Sequence, residues 1–341
     1  MSIKVSLIAT TALALFLMCG SVFAQCPRDA VFVLSEGQIR GFSLRANGAT
    51  VPCQVIRGPK TGLQMWGSIA VSKNGFLHVA QFLLARVDVF APDANGDVAP
   101  SRSTQVFSND FLSITTDASG NDFLASRRGP YIVYSPASGQ LDTIVADLPS
   151  VGGIALDPHW DLLVGGSPGF PQDTKAAVLT YATSQNLDGP PVIRMIAGSA
   201  TGLLSSSPGL ALDPSTSELF VYNSDSKTAQ VSVFAAEADG NVAPIRVIGG
   251  ANTGISVAGY FPGSVPSANK IAVSSDGRLF VLGPNNRILV FAPGANGDVR
   301  PSQIIEDAGP VETLGTGIAV RSVDCAFVRR PPPGELGHDG R

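Results

Sequence analysis

Residues 270–301 read KIAVSSDGRLFVLGPNNRILVFAPGANGDVRP, and this stretch contains most of one structural unit. Lys270-Ile271-Ala272-Val273 is a short apolar run, Ser275-Asp276-Gly277 is a turn, and Leu279-Phe280-Val281 is a second run. Ile288-Leu289-Val290-Phe291 is a third, followed by Ala292-Pro293-Gly294-Ala295-Asn296-Gly297-Asp298-Val299-Arg300-Pro301. Asp-Gly and Asn-Gly between apolar runs are hairpin signals, because both turn residues tolerate positive φ. Runs of this length with a period of two are strands with one packed face.

Working outward, the first phrase recurs as Ser68-Ile69-Ala70-Val71, Ser113-Ile114-Thr115-Thr116, Gly153-Ile154-Ala155-Leu156, Gly209-Leu210-Ala211-Leu212 and Gly317-Ile318-Ala319-Val320. Six copies lie 40 to 61 residues apart, a supersecondary period. The third run recurs as Val87–Phe90, Tyr131–Tyr134, Val178–Tyr181 and Val231–Phe234, with Ile39–Phe42 a worn first copy. The tail recurs as residues 91–100 and 235–244, each followed by an outer strand. Thr61-Gly62-Leu63, Thr201-Gly202-Leu203 and Thr253-Gly254-Ile255 mark turns back to the next unit. Four short antiparallel strands per unit, six units and no helical periodicity predict an all-β, six-bladed β-propeller of four-stranded blades. The small-apolar phrase suits the innermost strand, where blades crowd the axis.

Both ends carry a candidate second strand, Val31–Leu34 and Ala326–Val328, one of which is surplus. Either way, strands from both termini close one blade, which removes an exposed sheet edge. On these motifs the chain resembles the secreted bacterial propellers with NHL-type repeats, over about residues 31 to 330. That resemblance is at the level of fold, which hosts many functions.

Composition excludes other classes. Of 341 residues, 37 are Gly and 25 Pro, against a helical bundle or coiled coil. Charged residues make up 15% and are scattered singly, so there is no basic stripe for nucleic acid. Residues 1–24, with Lys4, an apolar core from Leu7 to Met18 and Val22-Phe23-Ala24 at the end, read as a secretory signal peptide cut after Ala24. The mature chain, 22 basic against 27 acidic residues, is expected to be a secreted or periplasmic monomer with no membrane insertion. Residues 25–330 form one domain, and the Pro/Gly-rich residues 331–341 are expected to be disordered. Export permits disulfides. Of Cys26, Cys53 and Cys325, pairing Cys26 with Cys325 would staple the two ends of the fold; Cys26 with Cys53 is the alternative.

Chemistry is sparse. Gly165-Gly166-Ser167-Pro168-Gly169 matches a nucleophile elbow in letters, but Pro168 lacks the N–H that elbow uses. His78, His159 and His338 sit in unlike positions, against a zinc site or a triad; His78 reads as half-buried structure. The Asn-Gly-Asp loops lack the spacing of a calcium loop and read as turns. The connections before each inner strand and between second and third strands gather at one end of a propeller, the usual binding face. Trp66, Asn109, Asp110, Arg127, Arg128, Asn223, Tyr260 and Phe261 are the ligand-binding candidates there. Trp66 is either a blade-packing anchor or a stacking surface, and the long segment Thr253 to Lys270 is the candidate binding loop. The expectation is a non-catalytic module that binds a protein, glycan or small ligand without a cofactor. The alternative is a cation-dependent propeller enzyme, either a lyase or a lactonase-like hydrolase similar to propeller lactonases of the gluconolactonase and regucalcin type. Asn109, Asp110 and Asn223 would reach its central channel, but no Glu sits obviously beside an inner strand.

Overall fold

The computed structural model describes Cys26 and residues 28–322 except 107–110, 127–130, 139–140, 146–147, 149, 160, 168–175, 184–186, 188, 205–207, 226, 258–269, 285–286 and 310–314. Residues 1–25, Ala326–Val328, Cys325 and the Pro/Gly-rich residues 331–341 lie outside the described residues.

Six antiparallel blades form the protein. The inner strands are Gly317–Arg321 in blade 1, Gly67–Val71 in blade 2, Phe111–Thr116 in blade 3, Ser150–Leu156 in blade 4, Gly209–Leu212 in blade 5 and Ile271–Val273 in blade 6. Each packs beside the next, and blade 6 returns to blade 1, closing the ring. Blade 1 joins the two ends of the chain: Gly317–Arg321 pairs with Ala30–Ser35, which pairs with Gln38–Ser43 and then Gln54–Ile56. Val31–Leu34 therefore supplies the second strand. The Arg321 guanidinium sits 5.0 Å over the Phe32 ring and donates to the Arg28 carbonyl (3.0 Å), tying both ends together.

Cys26 is bonded to Cys53, which corrects the pairing with Cys325. Cys53 stands just before the outer strand of blade 1, its N–H on the Gly41 carbonyl (2.9 Å), and Cys26 packs into the same blade core. The bridge thus runs within one blade across a sequence separation of 27, a loop whose closure stabilises by about 3.5 kcal/mol. The hydrogen-bonded strands already join the two ends. No helix among the described residues is long and apolar enough to cross a membrane.

The seams between blades follow one rule. The second-strand residue opposite the third position of the repeated phrase packs toward the residue just before its counterpart in the next blade. Phe32 shares a core with Leu77, Phe123 with Leu162, Leu163 with Leu219, Phe220 with Leu279, and Phe280 with Val31. Between blades 2 and 3 the same two positions hold His78 and Asp122. There Nδ1 and Oδ1 lie 2.7 Å apart with side chains 3% and 1% exposed, so His78 is fully buried rather than half-buried. Arg102 donates to the other Asp122 oxygen (3.3 Å) and to the Gly120 carbonyl (3.2 Å).

A second device repeats on the outer rim. Asn95, Asp239, Asn296 and Asn47 each accept, through the side-chain oxygen, from an outer-strand N–H of the preceding blade: Val55 (2.9 Å), Met195 (2.8 Å), Val247 (3.1 Å) and Ile304 (3.0 Å). The following glycine pairs parallel with that strand, as Ile56 with Gly96, Ile196 with Gly240, Ile248 with Gly297 and Ile305 with Gly48. In three of these loops the last polar residue, Asp97, Asn241 or Asp298, accepts at 2.7 Å from Lys60, Ala200 or Asn252 in a short 3-10 turn of the preceding blade. Gly58, Gly198 and Gly250 open those turns at φ 127°, 117° and 124°. A Cβ there would lie 2.4 to 2.5 Å from the capping side chain, so the position requires glycine twice over. The loops that read as hairpin turns are staples between blades.

Removing one member of a buried polar pair leaves the other without a partner, at about 1–3 kcal/mol, whereas replacing both with packed apolar residues is neutral or stabilising. Asp122→Leu alone should therefore lower the urea midpoint sharply. His78→Phe with Asp122→Leu, which copies the other seams, should restore it to the wild-type value or above, with the partly exposed Arg102 turning to solvent.

Candidate functional site

The loop end of the ring holds the residues before each inner strand and those joining second to third strands. Of the eight residues singled out from the sequence, Trp66 and Asn223 are described; Asn109, Asp110, Arg127, Arg128, Tyr260 and Phe261 lie outside the described residues. The structure does not bring Trp66 and Asn223 together, since they belong to blades 2 and 5.

Asn223 is fully buried and engaged. Its Oδ1 accepts from the Leu204 N–H (2.6 Å) and its Nδ2 donates to the Gly202 carbonyl (2.8 Å), fastening the Thr201-Gly202-Leu203 turn to the second strand. Gln81 does the same in blade 2, accepting from Gln64 N–H (2.9 Å) and donating to the Gly62 carbonyl (3.1 Å). This geometry gives Asn223 a latch role.

Trp66 is half-buried and meets Phe82 edge-on, ring centres 6.4 Å apart at 87°. The Phe82 N–H donates to the Trp66 carbonyl (3.2 Å), which joins the loop before the inner strand to the loop after the second strand. Around this pair Met65 is 54% and Leu83 51% exposed. The connection Phe82-Leu83-Leu84-Ala85 is apolar, whereas its counterparts are Glu36-Gly37 in blade 1 and Asp225 to Thr228 in blade 5. It is also fixed: the Ala85 carbonyl accepts from Val106 N–H (2.7 Å), the Leu84 carbonyl from Gln105 Nε2 (2.9 Å), and Ala85 adopts φ 49°. A non-glycine residue at positive φ is a strained conformation that the surrounding bonds hold. The apolar side chains of Met65 and Leu83 are thus held open to solvent beside the Trp66–Phe82 pair. Sequence reading found Trp66 but missed Phe82 and Leu83, because an apolar run after a strand reads as more strand.

Lys270 lies at the same end, beside the axis. Its Nζ donates to the Gly315 carbonyl of blade 1 (3.3 Å), and loss of water around the amine lowers its pKa to about 8. In the long segment from Thr253, Ile255 is buried and the Tyr222 hydroxyl donates to the Ser256 carbonyl (3.0 Å), while residues 258–269 are outside the described set. Among the described residues no three His, Cys, Asp or Glu side chains converge.

No protein-family model matches this sequence, and no curated protein matches it. Solved structures do. A protein of unknown function from Bacteroides caccae aligns at 11% identity and TM-score 0.53, over 86% of this chain and 98% of its own. A functionally unknown protein from Desulfotomaculum acetoxidans aligns at 13% identity and TM-score 0.54 over the same shares. Virginiamycin B lyase from Staphylococcus aureus aligns more loosely, at 14% identity and TM-score 0.43 over 66% of either chain. At these identities the likeness is one of fold.

The Lys270 amine binds fewer protons folded than unfolded between pH about 8 and its ordinary 10.5, so its contribution makes stability rise with pH through that window. Below pH 8 the burial of the charge costs up to about 2–3 kcal/mol. Lys270→Met should accordingly raise the melting temperature at about pH 7, and the gain should shrink toward zero as pH approaches ~10.5. Equal gains at both pH values would contradict this.

Proposed function

We propose that this protein is an exported, non-catalytic propeller with NHL-like repeats that binds a protein, glycan or small ligand through its loop end, with Met65, Trp66, Phe82 and Leu83 as the contact. The observation that carries this reading is the exposed apolar cluster on a connection fixed by backbone hydrogen bonds. A rigid platform of this kind loses little entropy on binding, and tryptophan is among the residues enriched in affinity hot spots. The leader-like residues 1–24 and the Cys26–Cys53 bridge support export. The reading requires no cofactor and no second subunit.

The cluster makes the test direct. Ligands selected from a displayed peptide library and a glycan array should quench Trp66 fluorescence in a Trp160→Phe background. Leu83→Asp should weaken them by about tenfold or more, the loss expected for a hot-spot contact. Ile193→Asp, on the outer strand of blade 4, should leave them unchanged. Selected ligands indifferent to both Leu83→Asp and Trp66→Ala would place binding elsewhere on the ring.

A further inference from the structure

The sequence contains four Asn-Gly pairs, Asn47-Gly48, Asn74-Gly75, Asn95-Gly96 and Asn296-Gly297. Such a pair is chemically fragile, because a glycine nitrogen, with no Cβ beside it, can approach the side-chain carbonyl of the preceding asparagine. The attack requires the asparagine side chain to turn back on its own backbone and the glycine N–H to give up its hydrogen bond. The fold controls both requirements.

Three of the four pairs belong to staples. Asn47, Asn95 and Asn296 commit their side-chain oxygens to the N–H groups of Ile304 (3.0 Å), Val55 (2.9 Å) and Val247 (3.1 Å) on the preceding blade. In two of them the attacking nitrogen is held by the same strand, Gly96 donating to the Val55 carbonyl (2.6 Å) and Gly297 to the Val247 carbonyl (2.7 Å). Asn95 and Asn296 are thus gripped on both reacting groups, and loop and strand must part before either can react. Blade 5 supplies an internal comparison. Asp239 occupies the same position and accepts from the Met195 N–H (2.8 Å), so a carboxylate fits the staple when the sequence puts one there.

Asn74-Gly75 is held differently. It is the hairpin turn between Gly67–Val71 and Leu77–Gln81, at the end of the ring opposite the loop end. Asn74 is exposed, and the bond on the attacking nitrogen is local, from the Gly75 N–H to the Ser72 carbonyl (2.8 Å). A turn bond opens by local fraying, whereas a staple opens only with the contact between two blades. In the matching turn of blade 6 the position already holds an acid, Asp276, which accepts from Arg278 Nε (2.9 Å).

We propose that Asn74 is a site of spontaneous modification in the folded protein, converting to aspartate and isoaspartate, while the staples protect Asn95 and Asn296. The Gly75 nitrogen gives its proton to solvent and attacks Cγ of Asn74. The side-chain nitrogen takes up a proton and leaves as ammonia, which closes a cyclic succinimide. Water then opens the ring: addition at Cγ restores the ordinary backbone as aspartate, and addition at the backbone carbonyl leaves the chain running through Cβ as isoaspartate. Water is consumed, ammonia is released and no electrons are exchanged. Either product adds a negative charge to the turn, and isoaspartate also inserts a methylene into its backbone. The turn adjoins Arg321, the residue that ties the two chain ends together, since a Cβ on Gly75 would lie 3.2 Å from its Cδ. The site stands at the far end of the ring from Met65, Trp66, Phe82 and Leu83, so neither reading depends on the other.

The test ages the whole protein at mildly alkaline pH, folded and in urea, and follows the four Asn-Gly peptides by mass and by isoaspartate content. In urea all four should convert at similar rates. In the folded protein Asn74 should convert, with Asn95 and Asn296 slower on the order of tenfold or more, because two hydrogen bonds to another blade must open before either reacts. Asn74→Ser should remove the fast site and leave the slow rates of Asn95 and Asn296 as they were. Conversion of Asn95 or Asn296 as fast as Asn74 in the folded wild-type protein, or an unchanged Asn74 there while the urea sample reacts, would overturn the proposal.

Discussion

A propeller blade ends in an outer strand whose unpaired N–H and C=O groups would invite association with other chains. This protein covers much of that edge with the next blade. The Asn-Gly-Asp loops lay a side-chain oxygen, a parallel bridge and a second side-chain oxygen along the preceding outer strand and its 3-10 turn. The same contact that hides an edge fixes the angle between two blades, because strand, turn and loop meet in one hydrogen-bonded unit. The staple needs a glycine at positive φ in the turn, a carboxylate or amide in the loop and a buried Thr between them. Thr61, Thr201 and Thr253 fill that role, each donating at 2.7 Å to the carbonyl of the opening glycine.

The staple is not uniform around the ring. It links blades 1 to 2, 4 to 5 and 5 to 6, and in part 6 to 1. The corresponding loop of blade 3 begins Pro136-Ala137-Ser138 and lacks the Asn-Gly-Asp signature. At that seam the preceding outer strand, Arg102–Gln105, is polar, and Arg102 reaches Asp122 across the interface. Between blades 2 and 3, one of the two seams without a described staple, His78, Asp122 and Arg102 form a polar cluster instead. Its polar side chains also distinguish this seam from five apolar ones, which in a chain of similar blades favours one pairing of neighbours over others.

With the blades locked at the rim, the loop end becomes a fixed surface. Gln81 and Asn223 each fasten an incoming loop to the end of a second strand, so the backbone ahead of the inner strands is tied down from below. The side chains left outward at blade 2 are then determined by sequence alone, and they are Met65, Trp66, Phe82 and Leu83. Lys270 is placed by the same architecture, since the inner-strand slot aims it at the neighbouring blade instead of at solvent.

Architecture was legible because it is written in local patterns: the recurring Gly-Ile-Ala-Val phrase, the Asn-Gly and Asp-Gly turns, and a strand at each end of the chain. What escaped notice depends on contacts between residues about 40 to 50 apart, such as Asp97 with Lys60 or Asp298 with Asn252. Cys26 was expected to join the chain ends and instead braces one blade, because paired strands already join those ends. Asn223 was singled out as a ligand residue for its amide chemistry, and the structure shows that amide bonded to the Thr201-Gly202-Leu203 turn and Leu204.

The account rests on the staple, and hydrogen exchange at the N–H groups of Lys60, Ala200 and Asn252 tests it most directly. These groups lie at the exposed rim, where an unbonded amide exchanges freely. If the loops of the following blade clamp them, they should exchange as slowly as the amides of the inner strands and lose protection together with them as denaturant is added. Exchange at the rate of an open loop, with the inner strands still protected, would show that the blades are held by their apolar seams and that the staples do not carry the ring.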